Sequence, residues 1–416
     1  MAAPPLPYAD AYDTRAPGGG SQFQLRRVDG RDADGRATIS LLALGVGSLA
    51  VTLDGVMVRA GERVPVAIKQ MSFLKSAVAA AVAAGEHRGV EALASRGHPS
   101  IVRCAFAPPR AAAPATAALT TPPPSTAPPP PLIAGLSVFE ADEGGGRVRL
   151  SFVFERCPTA VPFPIAATLS PKGFCVPADG ASQPEALGCD LYSNPIKAPT
   201  TSPFSVREAA HVLKQVLAAV AHLHAATPPI VHRDVKPENL LIWRAERDAA
   251  SGELLLEVKL TDYGTMRRLD KRDLTVGSGT RAFMAGEVDA PTGANAKTRV
   301  PTGSYDASVD VYSAGATFFF LVTGASPSGD TRKAWQLRLG GESTVTVDMS
   351  KKWYKAHPAA WAAAQGAGGG SVPPVTTLDY YFPEGSVQRE LLQRLVSPSD
   401  RLSAADALAW MQAAGL

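Results

Sequence analysis

The 416-residue chain carries 41 basic and 38 acidic side chains, a formal net charge of +3, with 45 % hydrophobic and 19 % charged residues. That balance is ordinary for a globular protein and gives no field strong enough to draw the chain onto nucleic acid or anionic lipid, so neither is expected as a partner. The four cysteines, Cys104, Cys157, Cys175 and Cys189, show no CxxC pair or other metal-binding spacing and read as free thiols in a reducing compartment.

Residues 1–36 are polar and rich in Gly and Pro and read as a flexible tail; "MAAPPLPYADAYDTR" lacks the basic and apolar regions of a secretory signal. "ATISLLALG", "VTLDGVMV" and "VPVAIKQM" alternate or run apolar with β-branched residues, which predicts three strands. "SAVAAAVAAGEHRGVEALASRG" is alanine-rich and predicts a helix, weakened by Gly85 and Gly89. Residues 107–131 are too proline-rich for a helix or central strand. They read as a solvated loop, with a polyproline ligand for SH3 or WW modules as the alternative. "LSVFEADEGGGRVRLSFVFE" predicts a hairpin around Gly144-Gly145-Gly146, and residues 158–188 and 366–374 read as looser insertions.

Helical periodicity then takes over. In "SVREAAHVLKQVLAAVAHLHAA", Ser205 and Glu208 form a capping box, Phe204 sits where a hydrophobic staple belongs, and Val212, Leu213, Val216, Leu217 and Val220 recur at helical spacing. The most apolar stretch, "ATFFFLVTGA" (316–325), is far shorter than the roughly 20 residues a membrane helix needs, so no membrane association is expected. A sheet-rich first part and a helical second part make an α+β plan. An intracellular location is expected, in the cytoplasm, with the nucleus as the alternative.

The chemistry-bearing residues come in a fixed order. "LGVGSLAVTL" places Gly45 and Gly47 at a strand-turn-strand, and "VPVAIKQ" carries Lys69 at the end of an apolar run. "VHRDVKPENLLI" gathers His232, Arg233, Asp234, Lys236 and Asn239 in eight residues, and "KLTDYGT" follows with Asp262 at a strand end. "GSGTRAFMAGEV", "YDASVDVYSAGATFFFLVTG" and "SPSDRLSAADAL" come after. This ordered set resembles the eukaryotic protein kinase family in its serine/threonine branch, over roughly residues 40–413. The resemblance implies a bilobal fold, with a small β-rich N-lobe over 37–155 and a larger helical C-lobe over 156–416. It also implies ATP and Mg2+ as cofactors and protein hydroxyls as substrates.

Residue by residue, the resemblance assigns Lys69 to the α- and β-phosphates, Asp262 and Asn239 to Mg2+, and Asp234 to the substrate hydroxyl. It assigns Lys236 to the γ-phosphate and brings Thr280 to the Asp234–Lys236 pair. Gly45 and Gly47 would cradle phosphate. The Glu155 carbonyl and Cys157 amide would meet adenine, with Phe154 as gatekeeper and Ala67 and Leu241 sandwiching the ring. Asp190 would meet the ribose. Asp310 would tie the Asp234 loop to a buried helix, and Glu287 would pair with Arg401. Tyr263 stands where Phe is commoner and keeps a ring for packing.

Three positions depart from the family pattern. Ala50 replaces the third glycine of the phosphate loop, and Gly286 replaces the proline of A-P-E. Gly89 falls where relatives carry the glutamate that pairs with the strand lysine, leaving Glu86 or Glu91 as the partner of Lys69, with Glu86 on the face of Gly89. The alternative reading is a pseudokinase scaffold that binds partners without transfer. Arg233 before the catalytic Asp implies activation by phosphorylation, with Thr275 the expected site and Ser278 the alternative.

Overall fold

The computed structural model describes residues 21–31, 34, 37–46, 50–59, 62–74, 97–103, 138–144, 147–166, 168–170, 173–175, 189–193, 204–269, 279–286, 288, 306–324, 381–397 and 400–416. They fall into two units. One draws on residues within 1–97, 102–156 and 160–186; the other draws on 98–101, 157–159 and 187–416.

The first unit is built on an eight-stranded sheet. Its strands are β1 (Ser21–Leu25), β2 (Arg27–Arg31), β3 (Ala37–Val46), β4 (Val51–Arg59), β5 (Glu62–Leu74), β6 (Val138–Gly144), β7 (Arg147–Glu155) and β8 (Phe163–Ala166). The path runs β2-β3-β4-β5-β7-β6, with β1 on β4 and β8 on β3. A second pair, β9 (Thr168–Ser170) and β10 (Gly173–Cys175), forms a small antiparallel ribbon. The predicted strands at 37–45, 51–58 and 64–71 and the hairpin at 144–147 are all present. Their apolar residues supply the core: Leu41, Leu53, Met57, Val66, Ile68 and Phe152 are buried. Pro65 is tolerated in β5 because β7 pairs only from Val66 onward, so no ladder partner awaits the missing N–H on that edge.

Two regions differ from the sequence reading. Residues 21–31, expected as part of a tail, belong to the sheet. β3 and β4 pair from Ala43–Leu53 to Val46–Val51 and diverge beyond, and β1 lines the diverging part of β4 while β2 lines that of β3. The chain therefore makes a V whose tip, Arg26, sits at the fork. Its N–H donates to the Asp54 carbonyl (3.0 Å), and its carbonyl accepts from Leu42 (2.9 Å). The region 158–188, expected as a loose insertion of the second lobe, supplies β8 to the first unit's sheet, and its residues 160–186 group with that unit. The stretches 107–131 and 366–374 lie outside the described residues.

The second unit opens with α1 (Val206–His224), and its capping box is formed: the Glu208 N–H donates to Ser205 Oγ, and the Ser205 N–H to Glu208 Oε2. The same buried carboxylate accepts from Leu254 N–H through Oε1 (2.8 Å), so one residue starts the helix and fixes it to a strand. Beyond α1 come β11 (Ile230–Val231), a 3-10 turn (Pro237–Asn239), β12 (Leu240–Arg247), β13 (Leu254–Leu260) and β14 (Arg267–Arg268). Gln215 laces α1 to β13 by accepting from Val258 N–H and donating to the Leu256 carbonyl. α2 (Ser308–Thr323) is buried on nearly every residue, as expected of a helix apolar all round. α3 (Val387–Val396) packs against it, and α4 (Ala404–Ala413) packs on α1. Gly315 permits the α2–α3 approach, since a Cβ there would lie 2.9 Å from Leu395 Cβ and Val396 Cγ1. No helix among the described residues is long and apolar enough to cross a membrane.

Candidate active site

The segment 232–239 runs from β11 to β12 and is held from below by Asp310 on α2. That carboxylate is fully buried; it accepts from the backbone N–H of His232 and of Arg233 (both 2.7 Å) and meets His224 Nε2 at 3.0 Å. Burial alone pushes its carboxyl up, but the His224 hydrogen bond, the two imidazoles and the His232 N–H outweigh burial and hold it below the ordinary value. The tie to a buried helix expected of Asp310 is thus formed. It supports a strained backbone: Arg233 has φ 68° and Asp262 has φ 67°, in the left-handed region that side chains disfavour.

His232 couples those two strained points. Its Nδ1 accepts from Asp234 N–H (3.3 Å), which leaves the proton on Nε2 to be donated to the Thr261 carbonyl (3.1 Å). The Thr261 N–H in turn donates to the Asn239 carbonyl (2.9 Å). Asp262, half-buried, is the next residue. The strand end that carries it is thereby fastened to the 232–239 segment from both sides.

Lys236, Asn239 and Thr280 converge on the Asp234 carboxylate. Lys236 Nζ lies 2.8 Å from Asp234 Oδ2 and donates to Thr280 Oγ1 at 2.6 Å. The Thr280 N–H and hydroxyl both donate to Asp234 Oδ1, each at 2.8 Å. Asn239 Nδ2 donates to the Asp234 carbonyl (2.7 Å) and to Oδ2 (3.0 Å). With its nitrogen spent on Asp234, the Asn239 amide retains Oδ1 as a hard oxygen ligand. Among the described residues no cluster of three or more His, Cys, Asp or Glu could hold a metal unaided. A divalent cation here would draw on the Asn239 oxygen, the Asp262 carboxylate and oxygens of a bound ligand, and this donor set suits Mg2+.

Gly279 is a residue the sequence reading passed over. It has φ 117°, and a Cβ there would lie 2.3 Å from the Arg233 carbonyl oxygen, so only glycine lets Thr280 reach Asp234. Its place in "GSGT" beside the predicted Thr280 was the available signal. Arg233 directs its Nε to the Thr265 carbonyl (2.6 Å), and Thr265 donates back to the His232 carbonyl.

The other predicted residues of this unit gather along one edge of β12. Asp190 bridges to Leu241, the Ile242 N–H donates to the Cys189 carbonyl (2.7 Å), and Cys157 Sγ donates to the Ile242 carbonyl (3.1 Å). The Cys189 thiol is pushed up, first by its hydrogen bond with the Cys157 thiol and then by burial. Asp190, expected at the ribose, uses its carboxylate at home: Oδ1 accepts from the N–H groups of Tyr192 and Ser193, and Oδ2 from the Ser193 hydroxyl.

In the first unit, Gly45, Thr52, Lys69 and Phe152 form one row across β3, β4, β5 and β7. A Cβ at Gly45 would meet nothing within 4 Å, and Lys69 is half-buried. Glu155 turns its side chain to Arg103, accepting from its N–H (2.7 Å) and its Nε (3.1 Å). Gly47, Glu86, Gly89, Glu91, Thr275, Ser278 and Glu287 lie outside the described residues. Arg401, expected to pair with Glu287, donates to the Ser397 carbonyl and Ser308 Oγ and stacks on Tyr312.

The family model of the protein kinase domain matches residues 185–410. The chain belongs to the protein kinase family. Its kinase relatives include rat serine/threonine-protein kinase DCLK1, 33 % identical over 137 residues, which is 32 % of this chain and 27 % of that protein. Myosin light chain kinase A of Dictyostelium discoideum is 35 % identical over 130 residues, 31 % of this chain and 37 % of that protein. Meiosis-specific serine/threonine-protein kinase mek1 of Schizosaccharomyces pombe is 32 % identical over 118 residues, 28 % of this chain and 25 % of that protein. Each alignment therefore spans well under half of the relative. Among solved structures, a chain of the Chaetomium thermophilum CAK complex, bound to ATP-gamma-S, matches with a TM-score of 0.50 and 19 % identity, over 93 % of this chain and 91 % of that one. That likeness is one of fold, and the bilobal kinase architecture read from the motifs is the fold of this chain.

Proposed function

We propose that the chain transfers the γ-phosphate of ATP to serine or threonine hydroxyls of protein substrates. The observation that carries this reading is the convergence of Lys236, Asn239 and Thr280 on the Asp234 carboxylate. Phosphoryl transfer asks a protein for positioning and charge neutralisation rather than covalent chemistry, and this network supplies both.

A carboxylate has about four lone-pair sites. In Asp234, Oδ1 is met twice by Thr280, and Oδ2 by Lys236 and Asn239. Orienting a substrate hydroxyl therefore requires one of these to leave. Lys236 is the one with somewhere to go: it swings from Oδ2 to the γ-phosphate, which frees an acceptor site for the hydroxyl proton. Thr280 and Asn239 keep the carboxylate aimed while this happens. Lys69 would take the α- and β-phosphates and the segment joining β3 to β4 would offer main-chain groups to the phosphates, with the Glu155 carbonyl and the Cys157 amide meeting adenine. Asn239 and Asp262 would hold Mg2+, which when bound neutralises charge on the β- and γ-phosphates. Asp190, oriented by the three hydrogen bonds of its own turn, would meet the ribose through its remaining acceptor site. Proteins are the proposed partners; the polyproline segment at 107–131 and an intracellular location stand as proposals from the sequence alone.

The test is transfer of radiolabelled phosphate from ATP to generic protein substrates, followed by phosphoamino-acid analysis. Label on serine and threonine is expected. Label on tyrosine alone, or on no protein, would contradict the reading.

A further inference from the structure

We propose that Asp54 is a positioning residue for the nucleotide, acting through Arg156 on the strand end that would hold adenine; this rests on the ATP-binding reading above. Neighbouring residues of an extended strand point to opposite faces. Glu155 goes to Arg103, and Arg156 goes to Asp54 on β4, with Nε 2.7 Å from Oδ1 and Nη2 3.4 Å from Oδ2. Arg156 Nη2 also donates to the Ala160 carbonyl at 3.2 Å, fixing the chain four residues on. Both side chains are thus pinned, one on each face, and the peptide groups around them are left in a set direction.

The two clamps are unequal. The Asp54 side chain is 0 % exposed and that of Arg156 14 %, whereas that of Arg103 is 37 % exposed. A well-aligned ion pair out of water resists loosening far more than a wet one. Asp54 also has a second cation, since Arg26 Nη1 lies 3.1 Å from Oδ2 while its main chain bonds β3 and β4. One carboxylate therefore joins the tip of the N-terminal V, the sheet and the strand end leading to Cys157. Asp54 lies in register with Ala67 and Phe154, two residues that the family resemblance places at adenine. A charged residue buried in that row needs a purpose, and holding Arg156 supplies one.

The test uses the full chain with Asp54→Asn, Arg156→Gln, Arg156→Lys, Arg26→Gln and the Asp54→Asn/Arg156→Gln double variant. ADP affinity is measured by calorimetry, with ATP KM and kcat from transfer assays and melting as a folding check. Asp54→Asn and Arg156→Gln should each weaken ADP binding and raise the ATP KM about tenfold, as expected of a small misplacement of binding groups. The kcat at saturating ATP should stay within about twofold, because the Asp234 network is untouched. The double variant should be no worse than either single, the mark of a shared path. Arg156→Lys should recover part of the affinity, and Arg26→Gln should cost less, since its main-chain bonds remain. If Asp54→Asn does not fold, the two Arg156 variants decide. Folded Arg156→Gln and Arg156→Lys proteins that bind ADP like wild type would overturn the positioning role alone. Multiplying effects in the double variant would overturn the coupling. Wild-type protein with no affinity for ADP would overturn the nucleotide reading and this inference with it.

Discussion

The loop from His232 to Asn239 and the sheet end around Asp54 solve the same problem in opposite ways. Each holds a buried carboxylate with several donors so that nearby backbone stays in place. In the loop two of the three partners are close in sequence: Asn239 is five residues from Asp234 and Lys236 is two, while Thr280 comes from 46 residues on. At the sheet end, Asp54 takes Arg26 from 28 residues before and Arg156 from 102 residues after. The first arrangement is written as a motif and the second only as a fold. The Lys236 and Asn239 contacts are set once the loop takes its shape, with Thr280 added from outside it, whereas every partner of Asp54 is in place only when three strands and the N-terminal V are in register.

Predictions that break this comparison begin with the support under the loop. Asp310→Asn leaves one acceptor oxygen where two backbone N–H groups and an imidazole now meet a carboxylate. It should destabilise the second unit by roughly 3 kcal/mol, measured by denaturant melts at neutral pH. The pH dependence has a definite sign. The folded Asp310 carboxyl is held below its ordinary 3.8, so its contribution is complete above that value and is lost as pH falls through the folded value. The gap between wild type and Asp310→Asn should therefore close in acid. A gap that widens there would contradict the assignment.

Next in size is Gly279→Ala, where the new methyl would meet the Arg233 carbonyl at 2.3 Å. A cost of about 2 kcal/mol or a displaced Thr280 is expected, seen as a lower Tm or a loss of at least about tenfold in kcat/KM. Thr280→Ala removes one hydroxyl that both accepts from Lys236 and donates to Asp234. It should lower kcat about tenfold with little change in melting, and Thr280→Ser should restore most of the activity. The smallest effect is expected at the exposed clamp. Arg103→Ala should cost less than about 1 kcal/mol of stability and leave ADP affinity near wild type. A larger loss there than at Arg156 would reverse the ranking of the two clamps.

The same contrast explains what could be read from the residues beforehand. The capping box at Ser205 and the hairpin at 144–147 were legible because each depends on local spacing, whereas the Thr280 contact and the Asp310 tie, which join residues far apart in sequence, were legible only through the family resemblance. β1 and β2 were not. "SQFQLRRVDGR" has only Phe23, Leu25 and Val28 to mark a buried face, too few to outweigh its polar residues. β8 reads "FPIA", and Pro164 hid it, yet on the edge of β3 a strand accommodates a proline. Asp54 sits in "VTLDGVMV", where alternation predicts the strand but says nothing of Arg156 across the sheet. Asp190 shows another limit: nothing in the residues around it signalled that its carboxylate also accepts from the Tyr192 and Ser193 N–H groups of its own turn.

In the proposed function, Asp234 serves transfer while Asp262 serves the metal-bound nucleotide. The most direct test measures ATP affinity with and without Mg2+, together with phosphate transfer, for wild type, Asp234→Asn and Asp262→Asn in parallel. The account predicts that both variants lose transfer by at least about a thousandfold, or roughly 4 kcal/mol. Asp234→Asn should keep the wild-type Mg2+-dependent affinity, and Asp262→Asn should lose the Mg2+ dependence. Wild-type protein that binds Mg2+-ATP but transfers no more phosphate than Asp234→Asn would contradict the account and leave a kinase fold that serves as a scaffold.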